Sequence, residues 1–118
     1  MNVVDTDLMP MRTGEIRLHD EAGIEGMRKA GRLVAECLDM LVGEVKPGVS
    51  TGHLDDLIRE FVYDHGAHSA TIGYRGYRHA SCISLNHVIC HGIPGPRVLK
   101  DGDIMNIDVT VIVDGWHG

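Results

Sequence analysis

The chain has 118 residues, 43% of them hydrophobic and 24% charged, with 11 Lys and Arg against 17 Asp and Glu for a formal net charge of −6. That length holds one domain with one modest core, and an acidic balance without a Lys/Arg run argues against sequence-specific nucleic-acid binding and against docking on an anionic membrane. Cys37, Cys82 and Cys90 form no disulfide framework, no apolar run approaches the roughly 18 residues of a membrane span, and residues 1–20 lack the features of a signal peptide, so a reducing cytoplasm is the expected setting.

Residues 1–18 show no sustained periodicity and contain Pro10 and Gly14; they read as a mobile arm ahead of a single domain over 19–118. From Asp20, which suits an N-cap, Ile24, Met27, Ala30, Val34, Cys37/Leu38 and Leu41 recur at helical spacing with charged residues between them. Lys46-Pro47-Gly48 ends that pattern. Ser50 or Thr51 caps a second helix whose stripe is Leu54, Leu57, Ile58, Phe61 and Val62, and Gly66 fits just past its end.

The signal then becomes β. Residues 68–72 and 80–85 are short strand candidates separated by Gly73-Tyr74-Arg75-Gly76-Tyr77, and 88–90 is a third extended piece. The clearest strand is 104–113, with Met105, Ile107, Val109, Val111 and Val113 on one face and Asn106, Asp108 and Thr110 on the other. Asp114-Gly115 is a strong hairpin signal, and Trp116-His117-Gly118 opens a returning strand that is not completed. A long strand with an unpaired edge gives two expectations. The chain is an N-terminal piece of something longer, cut mid-hairpin, and isolated copies self-associate through 104–113. The fold class is α/β (α+β), two amphipathic helices packed on an antiparallel sheet.

Few residues offer chemistry. Asp108, a carboxylate on the polar face of an apolar strand, is either a solvated or structural group or a metal ligand; alone it cannot hold a divalent ion usefully. In Asn86-His87-Val88-Ile89-Cys90-His91-Gly92-Ile93-Pro94, neighbours on an extended chain face opposite ways, so Cys90 and His91 do not make a dyad. His91 is either a polar residue at a strand end or an imidazole held on a turn to contact substrate. No CxxC pair supports a structural zinc. Tyr74 and Tyr77 sit on a glycine-hinged loop that is either ordinary packing or the lip of an apolar pocket, and not a phosphate loop.

Together these residues resemble the type I methionine aminopeptidases. Four segments carry the resemblance in order: Val45-Lys46-Pro47-Gly48-Val49-Ser50-Thr51, Gly73-Tyr74-Arg75-Gly76-Tyr77, Cys82-Ile83-Ser84-Leu85-Asn86 through Cys90-His91-Gly92-Ile93-Pro94, and Lys100-Asp101-Gly102-Asp103-Ile104-Met105-Asn106-Ile107-Asp108-Val109-Thr110. The resemblance implies the N-terminal half of a pita-bread (creatinase/aminopeptidase) fold. In that fold two related halves enclose two divalent metal ions (Co, Mn, Fe or Zn) that activate water and polarise the peptide carbonyl. It puts Asp108 on the first metal-binding aspartate and His91 on the histidine that contacts substrate and steadies the tetrahedral intermediate. Tyr74, Tyr77 and Cys82 match positions lining the methionine pocket, Thr71 stands where members often carry cysteine, and Asn86 and Val88 match backbone positions around a monovalent-cation site. The second aspartate would follow Gly118, with one His and two Glu in a second half, so one of five metal ligands is present and the chain alone is expected to be inactive. The implied partner is the N-terminal Met of peptides and nascent proteins, acted on by a monomeric full-length enzyme in the cytoplasm. The alternatives are a non-catalytic binding module made from the same fold and another pita-bread peptidase.

Overall fold

The computed structural model describes residues 16–118. The arm expected over 1–18 therefore lies, up to residue 15, outside the described residues, and 16–20 carry no regular structure. Helix α1 spans Glu21–Val42, and the Asp20 side chain accepts a hydrogen bond from the Gly23 backbone N–H at 2.9 Å, as a cap should. Helix α2 spans Thr51–Asp64 behind an N-cap at Ser50, whose Oγ accepts from His53 N–H at 3.1 Å.

The expected α1 stripe holds from Ala30 onward, except at Leu38, which is 39% exposed. Ala30, Cys37 and Leu41 are buried, whereas Ile24 and Met27 are each 44% exposed. The inward face of the first half is made instead by Gly23 and Gly26, on which the Trp116 indole rests so closely that a Cβ at Gly26 would stand 2.5 Å from the ring. A large ring needs small residues opposite it, so apolar periodicity misread which residues turn inward here. On α2 the stripe is as expected for Leu54, Ile58 and Val62, which are buried, with Leu57 and Phe61 packed at its margin.

Five short strands follow: β1 (His68–Ser69), β2 (Cys82–Leu85), β3 (Met105–Asp108), β4 (Val111–Val113) and β5 (Trp116–His117). They form two antiparallel sheets, β2–β3 in the register Cys82↔Asp108 to Leu85↔Met105, and β1–β4–β5. The core lies between the helices and the sheets, and includes Cys37, Leu41, Leu54, Ile58, Val62, Ala80, Ile83, Leu99 and Val111. Burial pushes the Cys37 thiol up to about 11.

Two strand expectations are corrected. The run 104–113 is two strands, interrupted at Val109-Thr110, whose halves take different partners. Its inside–outside alternation continues across the break, so the pattern carries no sign of the change. Nor is Val111–Val113 a bare edge. β1 flanks it on one side and β5 on the other, and Val111 exchanges both backbone hydrogen bonds with Gly118. The Asp114-Gly115 turn has both φ values positive, 49° and 84°, as a tight hairpin requires, and its return strand is β5. Self-association through 104–113 thus loses its basis at β4, although β3 is paired on one side only.

The third extended piece, 88–90, is not a strand. Asn86-His87 make a turn, and the chain comes back to lie on β2 at Gly92, which accepts from Ile83 N–H at 2.8 Å and donates its own N–H to Ser84 Oγ at 3.0 Å. Any Cβ at Gly92 would collide with the Ile83 carbonyl.

The glycines of α1 make opposite predictions. Gly26→Ala meets the indole, and overpacking of about 1–3 kcal/mol outweighs the gain in helix propensity. Gly31→Ala has open space around it and should stabilise by about 1 kcal/mol. Denaturant midpoints moving down for the first and up for the second check this.

Candidate active-site cavity

The loop between β1 and β2 is bent by three residues with positive φ, Gly73 (87°), Arg75 (49°) and Gly76 (81°). It closes on itself through Gly73 N–H to the Tyr77 carbonyl at 2.7 Å and Tyr77 N–H to the Tyr74 carbonyl at 3.0 Å. Thr71 Oγ1 donates to the His79 carbonyl at 2.6 Å and Tyr77 Oη to the Ser81 carbonyl at 2.7 Å, fixing both ends of the turn to the segment that leads into β2.

Beneath this loop sits Asp55, a carboxylate on α2 that is 1% exposed. Burial of a charge demands partners, and the loop provides them. Ser81 Oγ donates to Asp55 at 2.6 Å, Ala80 N–H at 3.3 Å, and the His79 ring nitrogen stands 3.5 Å away. Cys82 Sγ lies 3.6 Å from Tyr77 Oη. Burial, then the hydrogen bond and charge of Cys82, then the charge of Asp55, push the Tyr77 phenol above its usual range, so Tyr77 stays a neutral donor at ordinary pH.

The loop, β2 and the ends of β4 and β5 enclose a cavity of about 690 Å³. Its wall contains Thr71, Tyr74, Tyr77, Cys82 and His91, the residues singled out from the sequence as substrate-side, together with Ala70, Arg75, Gly76, Thr110 and His117. His91 is exposed and held at φ 57°, one residue before the Gly92 anchor. Cys90 is exposed and forms no part of that wall.

Asp108 is opposite Cys82 in the β2–β3 ladder, hence on the same face of that sheet, and is exposed without being part of the cavity wall. Among the described residues no three His, Cys, Asp or Glu side chains gather into a group able to hold a metal ion. Asn86 and Val88 border a separate hollow of about 210 Å³. The Asn86 side chain is engaged there in structure: its Oδ1 accepts from Ile104 N–H at 3.1 Å and its Nδ2 donates to Asp103 at 3.0 Å. The Asn86 donor first, then Lys100 N–H and Arg97, hold the Asp103 carboxyl below its ordinary value of 3.8.

Sequence reasoning missed Asp55, Arg75 as a wall residue, Thr110 and His117. Asp55 did leave a signal, because it falls at i+4 from Thr51 and one residue after Leu54, inside the buried face of α2.

The chain belongs to metallopeptidase family M24, whose model matches residues 25–118. The methionine aminopeptidase of Rickettsia prowazekii (strain Madrid E) is 50% identical over 103 residues, covering 87% of this chain and 40% of that protein. That of Escherichia coli (strain K12) is 58% identical over 97 residues, covering 80% and 37%. The crystal structure of the Rickettsia prowazekii methionine aminopeptidase superposes with a TM-score of 0.86 over 88% of this chain and 42% of that one. An Xaa-Pro dipeptidase from Bacillus anthracis, 14% identical with a TM-score of 0.63, shares the fold alone. The pita-bread expectation is met by these neighbours, and the chain spans about 40% of the length of the curated relatives. An M24 peptidase takes a divalent metal cofactor. A single exposed carboxylate, Asp108, does not fit that requirement without further donors.

Removing the Asp55 carboxylate strands the Ser81 hydroxyl and the Ala80 N–H in the interior. Asp55→Ala should therefore lose about 2–4 kcal/mol of stability, read from urea unfolding. Asp103 predicts an acid dependence. Its folded value is depressed, so its contribution is present above about pH 3.8 and fades as acid carries the solution through the lower folded value. The melting temperatures of wild type and Asp103→Asn should differ near neutral pH and converge below that window.

Proposed function

We propose that this chain is the N-terminal half of a methionine aminopeptidase, a hydrolase that removes the N-terminal Met of peptides and nascent proteins. The observation that carries the reading is the gathering of Thr71, Tyr74, Tyr77, Cys82 and His91, from two of the four segments and the residues just ahead of one of them, around one cavity. Two aromatic rings and a thiol suit an unbranched, polarisable thioether, which gains from dispersion with such groups. The Tyr77 phenol, kept neutral and spent on the Ser81 carbonyl, holds its ring in place and presents an apolar face.

His91 is the residue we assign to the peptide unit. An imidazole exposed on a turn at the cavity wall is able to donate a hydrogen bond to a carbonyl oxygen as charge develops there. Asp108 is assigned as one ligand of a metal centre whose other donors lie outside the described residues, the ions being Co, Mn, Fe or Zn. When bound, such ions supply activated water at neutral pH. Asn86 and Val88 are assigned to a monovalent-cation site through backbone oxygens, a use that leaves the Asn86 side chain where it is. Three free thiols, Cys37, Cys82 and Cys90, support a reducing cytoplasm as the setting.

The test is binding followed by turnover. In NMR titrations, Met-Ala-Ser should shift the amides of Tyr74, Tyr77 and Cys82, and Val-Ala-Ser should do so at least about tenfold more weakly, because a β-branched side chain fills the same space poorly. Equal response to both peptides overturns the pocket. Metal-dependent release of Met from Met-Ala-Ser by the 118-residue chain alone would overturn the shared ligand set.

A further inference from the structure

Arg75 is the one side chain of fixed charge in the cavity wall, where it stands among neutral groups and two histidines. Its surroundings set it apart in three ways. The backbone is left-handed (φ 49°, ψ 35°), a conformation costly for a residue with a side chain and one that tends to persist where a site uses it. The guanidinium carbon lies 5.3 Å from the centre of the Tyr74 ring, a cation–π contact that keeps the charge beside another residue of the wall. Among the described residues no carboxylate pairs with it, although the chain as a whole carries a formal net charge of −6. A cation on the wall of a pocket that no carboxylate of the described residues engages is available to a ligand.

We propose that Arg75 is a specificity-determining residue that favours peptides with acidic side chains just after the N-terminal Met. This rests on the reading of the cavity as the Met pocket. With the Met side chain inside, the rest of the peptide runs out past the exposed part of the wall, to which the Tyr74–Gly76 turn belongs, Tyr74 being 64% exposed. Successive residues of an extended peptide advance about 3.3 Å each and alternate sides, so one of the first two after Met passes the guanidinium. A carboxylate there gains a charge-assisted hydrogen bond at a partly hydrated site, and a Lys or Arg meets repulsion. Exposed Asp108 lies outside the wall and acts on every variant alike.

The experiment uses the 118-residue chain, isotopically labelled, titrated with Met-Ala-Asp-Glu amide and Met-Ala-Lys-Lys amide at low and at high salt. The wild type should bind the acidic peptide about threefold or more tightly than the basic one, with the preference shrinking as salt rises. Arg75→Glu should reverse the order and Arg75→Lys should keep it; Arg75 is exposed, so neither change touches the core. Equal affinities for the two peptides that Arg75→Glu leaves unchanged, with Tyr74 and Tyr77 still shifting, overturn the role of Arg75 and leave the Met pocket standing. An absence of shifts at Tyr74 and Tyr77 with either peptide removes the pocket, and the inference with it.

Discussion

The cavity depends on one buried charge. Asp55 enters from α2 and is met by the Ser81 hydroxyl, the Ala80 N–H and the His79 ring, which tie the β1–β2 loop to the helix layer. A carboxylate so placed is unfavourable unless its partners hold position. The same requirement fixes Tyr77 and Cys82, because Tyr77 donates to the Ser81 carbonyl and Cys82 is the next residue. Substrate-side groups on a loop gain in this way the rigidity of a helix. The loop is free to be rich in glycine and to adopt three positive φ angles because its anchor lies elsewhere.

Much of the architecture was legible in the sequence. Asp20 and Ser50 cap the two helices as their residue types require, and Asp114-Gly115 makes the hairpin its φ preferences allow. Two errors share a physical origin. Periodicity records how apolar residues alternate, and is silent about which partner a strand takes and how large the opposing group is. The run 104–113 therefore looked like one strand, and Ile24 and Met27 looked buried where Gly23 and Gly26 receive Trp116. His117 was hidden for a similar reason, since its approach to the cavity depends on a hairpin closing onto β4.

The site was legible to a different degree. Tyr74, Tyr77 and His91 stood out in the sequence as one of two open readings each, Thr71 and Cys82 entered through resemblance to a family, and the fold gathers all five around one cavity. Asp108 and His91 sit on opposite sides of β2, one reached through the ladder and the other through the returning segment. Family M24 membership supplies the metal requirement, and among the described residues no group of donors meets it.

Gly92 has the least chemistry of any residue near the cavity and a large say in its geometry. Its missing side chain lets the 90–94 segment press against the Ile83 carbonyl. The neighbouring imidazole is thereby carried to its station by an absence of atoms. Natural variation or engineering at this glycine would translate His91 bodily while leaving the residue itself in place, a way of reshaping the cavity wall without replacing any side chain in it.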